Sequence, residues 1–223
     1  MATLGDFELD QIYTGDAREL AKGIPDGSVD LIFTDPPYLA EYLPLYQWLS
    51  KLSFRLLKPG SYLFAYGAGE HMERIFDLMR GHGMKYFWME PLLHLGGYPR
   101  MWHKHLMSGY KPIFVYTKGD PNIKPWRATV HSDEQDKRWH TWGQGMGTAV
   151  KIIDLLTKPS SVVLEPFCGG GSVLAACKIL RRHYLAFEID PKTADIARRR
   201  VAETQPPLFV LEHQQSEMFG GAQ

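Results

Sequence analysis

The chain has 223 residues, of which 44% are hydrophobic, and this is enough for one large domain with a sizeable core. Its 25 basic and 25 acidic residues cancel, so the overall charge argues neither for nor against a nucleic-acid partner. No apolar run approaches the length of a membrane span and the first residues form no secretory leader, which predicts a soluble, cytoplasmic protein.

In the first half of the chain, short apolar runs alternate with helical spacing. The predicted order is a strand ending at Ile12-Tyr13, a helix to Leu20, a strand from Val29 to Phe33, a helix from Leu43 to Leu57, a strand from Tyr62 to Tyr66 and a helix from Glu70 to Arg80. The strand from Val29 to Phe33 is apolar on both faces, which is typical of a central parallel strand.

The second half continues the alternation after two irregular stretches, 92–111 and 118–147. The predicted elements are strands from Tyr86 to Met89 and Ile113 to Tyr116, a helix from Thr148 to Leu156 capped by Thr148, a strand from Val162 to Leu164, a helix from Ser172 to Leu180, a strand from Tyr184 to Phe187 and a helix after Asp190-Pro191. This order predicts an α/β fold with a doubly wound, mostly parallel sheet in one domain, 1–203, followed by a mobile tail, 204–223.

A polar and aromatic loop follows the first central strand and reads Asp35-Pro36-Pro37-Tyr38. The Asp35 carboxylate accepts hydrogen bonds, and the prolines fix the backbone without adding N–H donors. A neighbouring carbonyl can then accept from the same amino group, while Tyr38 offers a flat face to a base. This combination suits the exocyclic amine of a nucleobase, with catalysis by positioning and electrostatics. A capped turn after a strand is the alternative.

A glycine loop follows the second central strand and reads Glu165-Pro166-Phe167-Cys168-Gly169-Gly170-Gly171-Ser172. Glycines let backbone N–H groups approach a ligand at a helix N-terminus. Glu188 ends the next predicted strand, 19 residues after Gly169, where an acid can accept from both ribose hydroxyls. The pattern predicts a nucleoside cofactor, NAD or S-adenosylmethionine, and the consecutive glycines disfavour NAD.

The segment from Tyr98 to Trp142 is basic and aromatic, with eight Lys or Arg, four acids and four of the six Trp. Such a segment is typical of nucleic-acid binding, and the alternative is a solvated loop with Trp anchors in the core. The predicted DNA contacts are Arg100, Lys104, Lys124, Arg127 and Arg138. By contrast, Arg198-Arg199-Arg200 is predicted to be the solvated face of the last helix.

No metal site is predicted. Cys168 and Cys177 are too few and too isolated for a zinc site or a disulfide framework, and we expect both to be reduced. The histidines of the basic segment lack acids or cysteines at ligand spacing, so loop or phosphate contacts are expected of them. They are His103, His105, His131 and His140.

Taken together, the two loops resemble the motifs of amino-group DNA methyltransferases that depend on S-adenosylmethionine. The loop at Asp35 matches the catalytic motif of that family and Phe167-x-Gly169-x-Gly171 matches its cofactor motif. The resemblance implies that Asp35, Pro36, Pro37 and Tyr38 hold a flipped-out base. It also implies that the cofactor lies among Asp16, Ala17, Asp35, Glu165, Pro166, Phe167, Cys168, Gly169, Gly171, Ser172 and Glu188.

The catalytic motif precedes the cofactor motif, which is the permuted order of the β class, with target recognition expected in a small insertion at about 118–142. This segment is short, which favours a brief recognition site, loose specificity, or help from a second subunit of a homodimer. The Asp at the first motif position favours adenine N6, with cytosine N4 as the nearest alternative. A non-catalytic DNA-binding partner with a methyltransferase fold and a dehydrogenase are the more distant alternatives.

The tail contains two matches to the pattern Gln-x-x-(Leu/Met)-Phe, at 205–209 and 215–219. The pattern resembles the peptide with which bacterial replication proteins dock on the sliding clamp. An extended segment could place the two apolar side chains in a pocket, which predicts docking on that clamp. The alternative is that Leu208 and Phe209 pack on the last helix.

Overall fold

The computed structural model describes residues 2–95, 98–121, 128–133 and 145–206. In the first half of the chain the elements are β1 (Thr3–Leu4), β2 (Phe7–Glu8), β3 (Gln11–Thr14), α1 (Ala17–Leu20), β4 (Val29–Thr34), α2 (Pro44–Leu56), β5 (Leu57–Tyr66) and α3 (Met72–Met79). In the second half they are β6 (Lys85–His94), β7 (Arg100–Met101), β8 (Leu106–Met107), β9 (Tyr110–Thr117), β10 (His131–Asp133), α4 (Gly147–Leu156), β11 (Val162–Glu165), α5 (Ser172–Ile179), β12 (His183–Glu188) and α6 (Pro191–Glu203).

Within the described residues, eight strands form one sheet in the order β10-β6-β9-β5-β4-β11-β12-β3. Neighbouring strands are parallel except where β9 pairs with β5 and β6. From β4 the chain continues outward to β5, and from β11 it continues outward to β12 on the other side. The sheet therefore has a topological switch point between β4 and β11, where a crevice opens at the carboxyl ends of the strands.

Helices cover both faces of the sheet. Alternate residues of β4 point to opposite faces, so Leu31 and Phe33 join the core under α4, α5 and α6, whereas Ile32 joins the core under α1, α2 and α3. All three side chains are completely buried. The predicted doubly wound, mostly parallel α/β sheet is confirmed.

Several strands differ from the predictions, because sheet pairing lengthens some of them and adds others. β5 begins at Leu57, directly after α2, instead of after Pro59-Gly60. β6 extends to His94, well beyond the predicted end at Met89, because it pairs with β9 as far as Leu93. β10 lies in a stretch predicted to be irregular and pairs with the carboxyl end of β6. Its three residues are too few for a periodic signal.

The predicted cap of α4 is wrong. The helix begins at Gly147, and Thr148 lies inside its first turn with its own N–H bonded to Asp133 Oδ2 at 2.7 Å. A side chain on Gly147 would meet Asp133 Oδ1 at 2.4 Å. An acid at the end of β10, 15 residues away, therefore satisfies the helix N-terminus in place of Thr148.

Cys168 and Cys177 are both buried and neither is in a disulfide. Burial raises the pKa of both thiols. Among the helices of the described ranges, none combines the length and the apolar character needed to span a membrane.

Candidate active site

The two sequence motifs meet at the switch point. β4 and β11 pair directly, with Leu31 opposite Val163 and Ile32 opposite Leu164. Asp35 comes immediately after β4, and Glu165 is the last residue of β11. Because both strands end at the same edge of the sheet, the polar loop at Asp35 and the glycine loop open into the same crevice.

The Asp35 carboxylate is held by two side chains. Its Oδ2 accepts from Lys111 Nζ at 2.8 Å, and its Oδ1 accepts from the Tyr38 hydroxyl. The Lys111 ammonium also lies 4.6 Å from the centroid of the Tyr38 ring and 4.3 Å from that of Tyr66. The cluster thus combines an acceptor, a cation and two aromatic faces in a partly buried position.

The two prolines place Tyr38 relative to Asp35. Pro36 is buried and Pro37 is half-buried, and neither follows a cis peptide bond. Proline fixes φ near about −65° and has no N–H to satisfy. The restricted backbone between the two side chains brings the tyrosine hydroxyl back to the carboxylate three residues earlier.

Glu165 is the buried acid of the crevice, with 2% of its surface exposed. Its Oε1 has no hydrogen-bond partner among the described residues. Burial, reinforced by the negative charge of Asp35, raises the pKa of the Glu165 carboxyl well above its ordinary value. An unsatisfied buried carboxyl oxygen at a ligand crevice is typical of a group that gains its partner when a ligand binds.

The glycine loop is fixed by the residue that ends β12. Glu188 Oε2 accepts from the Gly169 N–H at 2.9 Å and its Oε1 accepts from the Asp190 N–H at 3.0 Å. Gly169 has φ +47°, and a side chain at this position would project into open space. Gly171 has φ +75°, but a side chain here would meet Ala197 at 3.0 Å. Gly169 therefore borders the crevice, whereas Gly171 permits close contact with α6.

The prediction that the arginines of α6 form a solvated face is wrong for Arg200. Arg200 is 2% exposed, and its Nη1 donates to the Gly170 carbonyl at 3.3 Å. Arg198 Nη2 donates to the Ile12 carbonyl at 2.7 Å. Periodicity favoured an exposed face because arginine is rarely buried, but the glycine loop supplies a carbonyl acceptor that only the fold brings near Arg200.

The remaining residues predicted to surround the cofactor occupy different environments. Asp16 caps α1 by accepting from the Arg18 N–H at 2.8 Å, and it pairs with the Arg18 guanidinium at 2.7 Å. These bonds lower the pKa of Asp16. The side chains of Ala17, Pro166 and Cys168 are buried, and those of Phe167 and Ser172 are half-buried. The Phe167 ring packs edge-on against Trp48.

A basic hairpin, 100–107, stands beside the crevice. It connects the carboxyl end of β6 to the start of β9, and its short strands β7 and β8 pair with each other. Arg100 lies 5.4 Å from the ring of Trp102, which is 74% exposed, and Lys104 is exposed. His103 pairs with Glu70 at 2.7 Å and ties the hairpin to the loop after β5. The other predicted DNA contacts, Lys124, Arg127 and Arg138, lie outside the described residues.

Two residues of the cluster around Asp35 were not among the site residues predicted from the sequence. Lys111 counted only toward the charge of the basic segment, and Tyr66 only as a strand residue. The signal available in the sequence was the position of Lys111, next to a proline at the start of an apolar strand. That strand begins at the edge of the sheet where β4 ends. Lys111 also lies near His94, whose pKa is lowered by burial and by the Lys111 charge.

Within the described ranges, no three His, Cys, Asp or Glu residues are grouped as metal ligands. His131 is buried and pairs instead with the buried Glu90, with Nε2 and Oε2 2.6 Å apart. His140 lies outside the described residues.

A doubly wound sheet that carries these two loops at its switch point is that of a Rossmann-like methyltransferase. The chain belongs to the family of N6/N4 amino-group DNA methylases, because the family model described as DNA methylase matches residues 29–199. This confirms the resemblance on which the sequence analysis relied.

Relatives agree with this assignment, and solved structures share the fold. The type II methyltransferase M.HinfI of Haemophilus influenzae is 26% identical over 91% of this chain and 71% of its own length. TTHA0409 of Thermus thermophilus, solved with S-adenosyl-L-methionine, superimposes with a TM-score of 0.71 at 22% identity over 89% of this chain and 95% of its own. The cytosine-N4-specific PvuII DNA methyltransferase has a TM-score of 0.74 at 14% identity and 85% coverage of both chains.

Proposed function

We propose that this DNA methyltransferase transfers a methyl group from S-adenosylmethionine to the N6 amine of adenine. The observation that carries the proposal is the carboxylate of Asp35, held at the switch point beside the glycine loop by Lys111 and Tyr38. In the amino-methyltransferase family an acid at this motif position favours adenine.

The cluster can hold a planar base by its amine and by its face. The amine of a flipped base donates to Asp35 and to the backbone carbonyl next to it, while Tyr38 stacks on the ring. Two acceptors on the amine hydrogens favour the pyramidal geometry in which the nitrogen lone pair can attack. Methyl transfer to such an amine therefore depends more on Asp35 as a fixed hydrogen-bond acceptor than on Asp35 as a strong base.

The crevice also fits the cofactor, which supplies an electrophilic methyl group on a sulfonium. Glu165 offers a buried carboxyl oxygen without a partner among the described residues, and this oxygen can accept a hydrogen bond from a ligand. Gly169 leaves open space where a side chain would otherwise project. Glu188 accepts one N–H at each oxygen, and a carboxylate oxygen has a second lone pair for a ribose hydroxyl.

The target base is tested by sequencing modified bases in DNA from a methylation-free host that expresses the protein. We expect N6-methyladenine in one sequence context, and none from a host that expresses the Asp35→Ala variant. Cytosine N4 is the competing target, favoured by the fold shared with the cytosine-specific PvuII enzyme. N4-methylcytosine in place of N6-methyladenine would overturn the assignment to adenine.

We infer that the hairpin 100–107 contacts DNA phosphates. Affinity should fall with salt, and the log–log slope should decrease by about 0.9 for each of Arg100→Gln and Lys104→Gln if each side chain contacts a phosphate. Binding measured over a salt series tests this. The matched control is Lys85→Gln, an exposed lysine at the opposite end of β6 that pairs with Asp120. A double variant with the wild-type slope would exclude the hairpin.

Several further assignments rest on the sequence pattern. The domain limits, the recognition segment 118–142, the homodimer and docking of the tail on a bacterial sliding clamp stay predictions. The two clamp-binding matches fall outside the described residues except for Gln205 and Pro206. We also propose that the enzyme acts in the cytoplasm, where its DNA substrate is found.

A further inference from the structure

Lys111 is the second residue of β9 and reaches Asp35 from 76 residues away in sequence. Its side chain is 13% exposed, and its ammonium lies between the rings of Tyr38 and Tyr66 with the Asp35 carboxylate as its charged partner. Because β9 runs antiparallel to its neighbours, its first residues lie at the edge where β4 ends.

Burial of the Lys111 ammonium at this position removes most of its contact with water, which costs solvation free energy. Burial lowers the pKa of Lys111, and the charge of Asp35 and its hydrogen bond act in the opposite direction. The two aromatic faces add cation–π attraction, which partly replaces water around the cation. Three separate partners therefore offset the solvation that the ammonium loses at this position.

We propose that Lys111 is a positioning residue for methyl transfer and that it acts through Asp35. Its ammonium fixes Oδ2, so the carboxylate presents Oδ1 to the target amine. The Tyr38 hydroxyl occupies Oδ1 in this structure and gives up that place when its ring stacks on the base. This inference rests on the proposed role of Asp35 as the acceptor for the amine.

The arrangement also determines what kind of acceptor Asp35 is. A carboxylate paired with an ammonium is a weaker base than a lone one, but its direction is fixed by the pair. The amine of a nucleobase has its lone pair delocalised into the ring and needs orientation. Lys111 thus fixes the direction of the Asp35 carboxylate and lowers its basicity. The reaction depends on orientation of the amine, so this exchange favours methyl transfer.

The test is a double-mutant cycle of single-turnover methyl transfer with Lys111→Met and Asp35→Asn. Methionine keeps the length and packing of the lysine stem without its charge. We expect Lys111→Met to slow transfer by about 100-fold, since a small misplacement of a reacting group costs that much. In the Asp35→Asn background the same change should cost less than about 3-fold, because the group through which it acts is already lost.

Two further measurements separate positioning from a structural role. Cofactor affinity by calorimetry and the fluorescence rise of 2-aminopurine at the target position should stay within about 3-fold of wild type in Lys111→Met, because neither depends on the direction of the carboxylate. The matched control Lys85→Met, at an exposed lysine of the neighbouring strand, should leave all three readouts unchanged. If Lys111→Met does not fold, Lys111→Gln enters the same cycle.

The outcomes are distinguishable. Equal costs of the lysine substitution in both backgrounds, or a near-normal rate in Lys111→Met, would overturn the role of Lys111 and leave Asp35 as the acceptor. A near-normal rate in Asp35→Asn would instead overturn the proposed function of Asp35. Parallel loss of cofactor binding, base extrusion and rate in Lys111→Met would show a structural role and overturn the positioning role.

Discussion

Asp35→Asn is expected to reduce methyl transfer by about 10²- to 10³-fold, the usual cost of removing one preorganised electrostatic group from an active site. The amide keeps the shape of the side chain but loses the charge that pairs with Lys111 and that we propose to accept from the target amine. Single-turnover incorporation of labelled methyl groups into DNA measures the loss.

Asp35→Ala should be as inactive and also less stable. Removing one partner of a largely buried ion pair leaves the Lys111 ammonium uncompensated, which typically costs about 3–5 kcal/mol when burial is complete and less here, because the Asp35 side chain is 34% exposed. Thermal unfolding of the two variants separates these effects. Asp77→Asn, on the exposed side of α3, is the matched control and should keep full activity. Folded Asp35→Asn with near-normal turnover would contradict the assignment.

Glu188→Ala is expected to weaken S-adenosylmethionine binding by roughly 10- to 150-fold, which corresponds to about 1.5–3 kcal/mol for a lost charge-assisted hydrogen-bond partner. The variant loses the acceptor that we propose for the ribose and also the bond that holds the Gly169 N–H at 2.9 Å. DNA affinity should change much less, because Glu188 contacts the glycine loop, which we propose to border the cofactor and not the DNA.

Glu188→Gln separates the two contributions. The amide oxygen can still accept from Gly169, so the loop stays in place while the charge and one acceptor are lost, and an intermediate cofactor affinity is expected. Glu203→Ala, at the exposed end of α6, is the control. Calorimetry that shows unchanged cofactor affinity in Glu188→Ala would place the ribose elsewhere.

Local patterns determined the fold class and the two loops of the site. Apolar runs such as Val29 to Phe33 have the composition of central strands wherever they occur, and the loops at Asp35 and Gly169 follow such strands directly. Because parallel strands end at one edge of a sheet, the alternation of strands with helices is enough to place both loops at the same edge.

Only the tertiary structure decided which side chains complete the site. Lys111 reaches Asp35 because β9 is inserted antiparallel in a parallel sheet, and no periodicity in sequence encodes that contact. Two other contacts also depend on the folded chain. Asp133 replaces Thr148 at the start of α4, and Arg200 is buried against the glycine loop. Each is a polar contact between residues far apart in the chain.

The sequence by itself determined where strands end and which loops carry acceptors, since those depend on neighbouring residues. The pairing of charges across strands depends on register and strand order, which exist only in the folded chain.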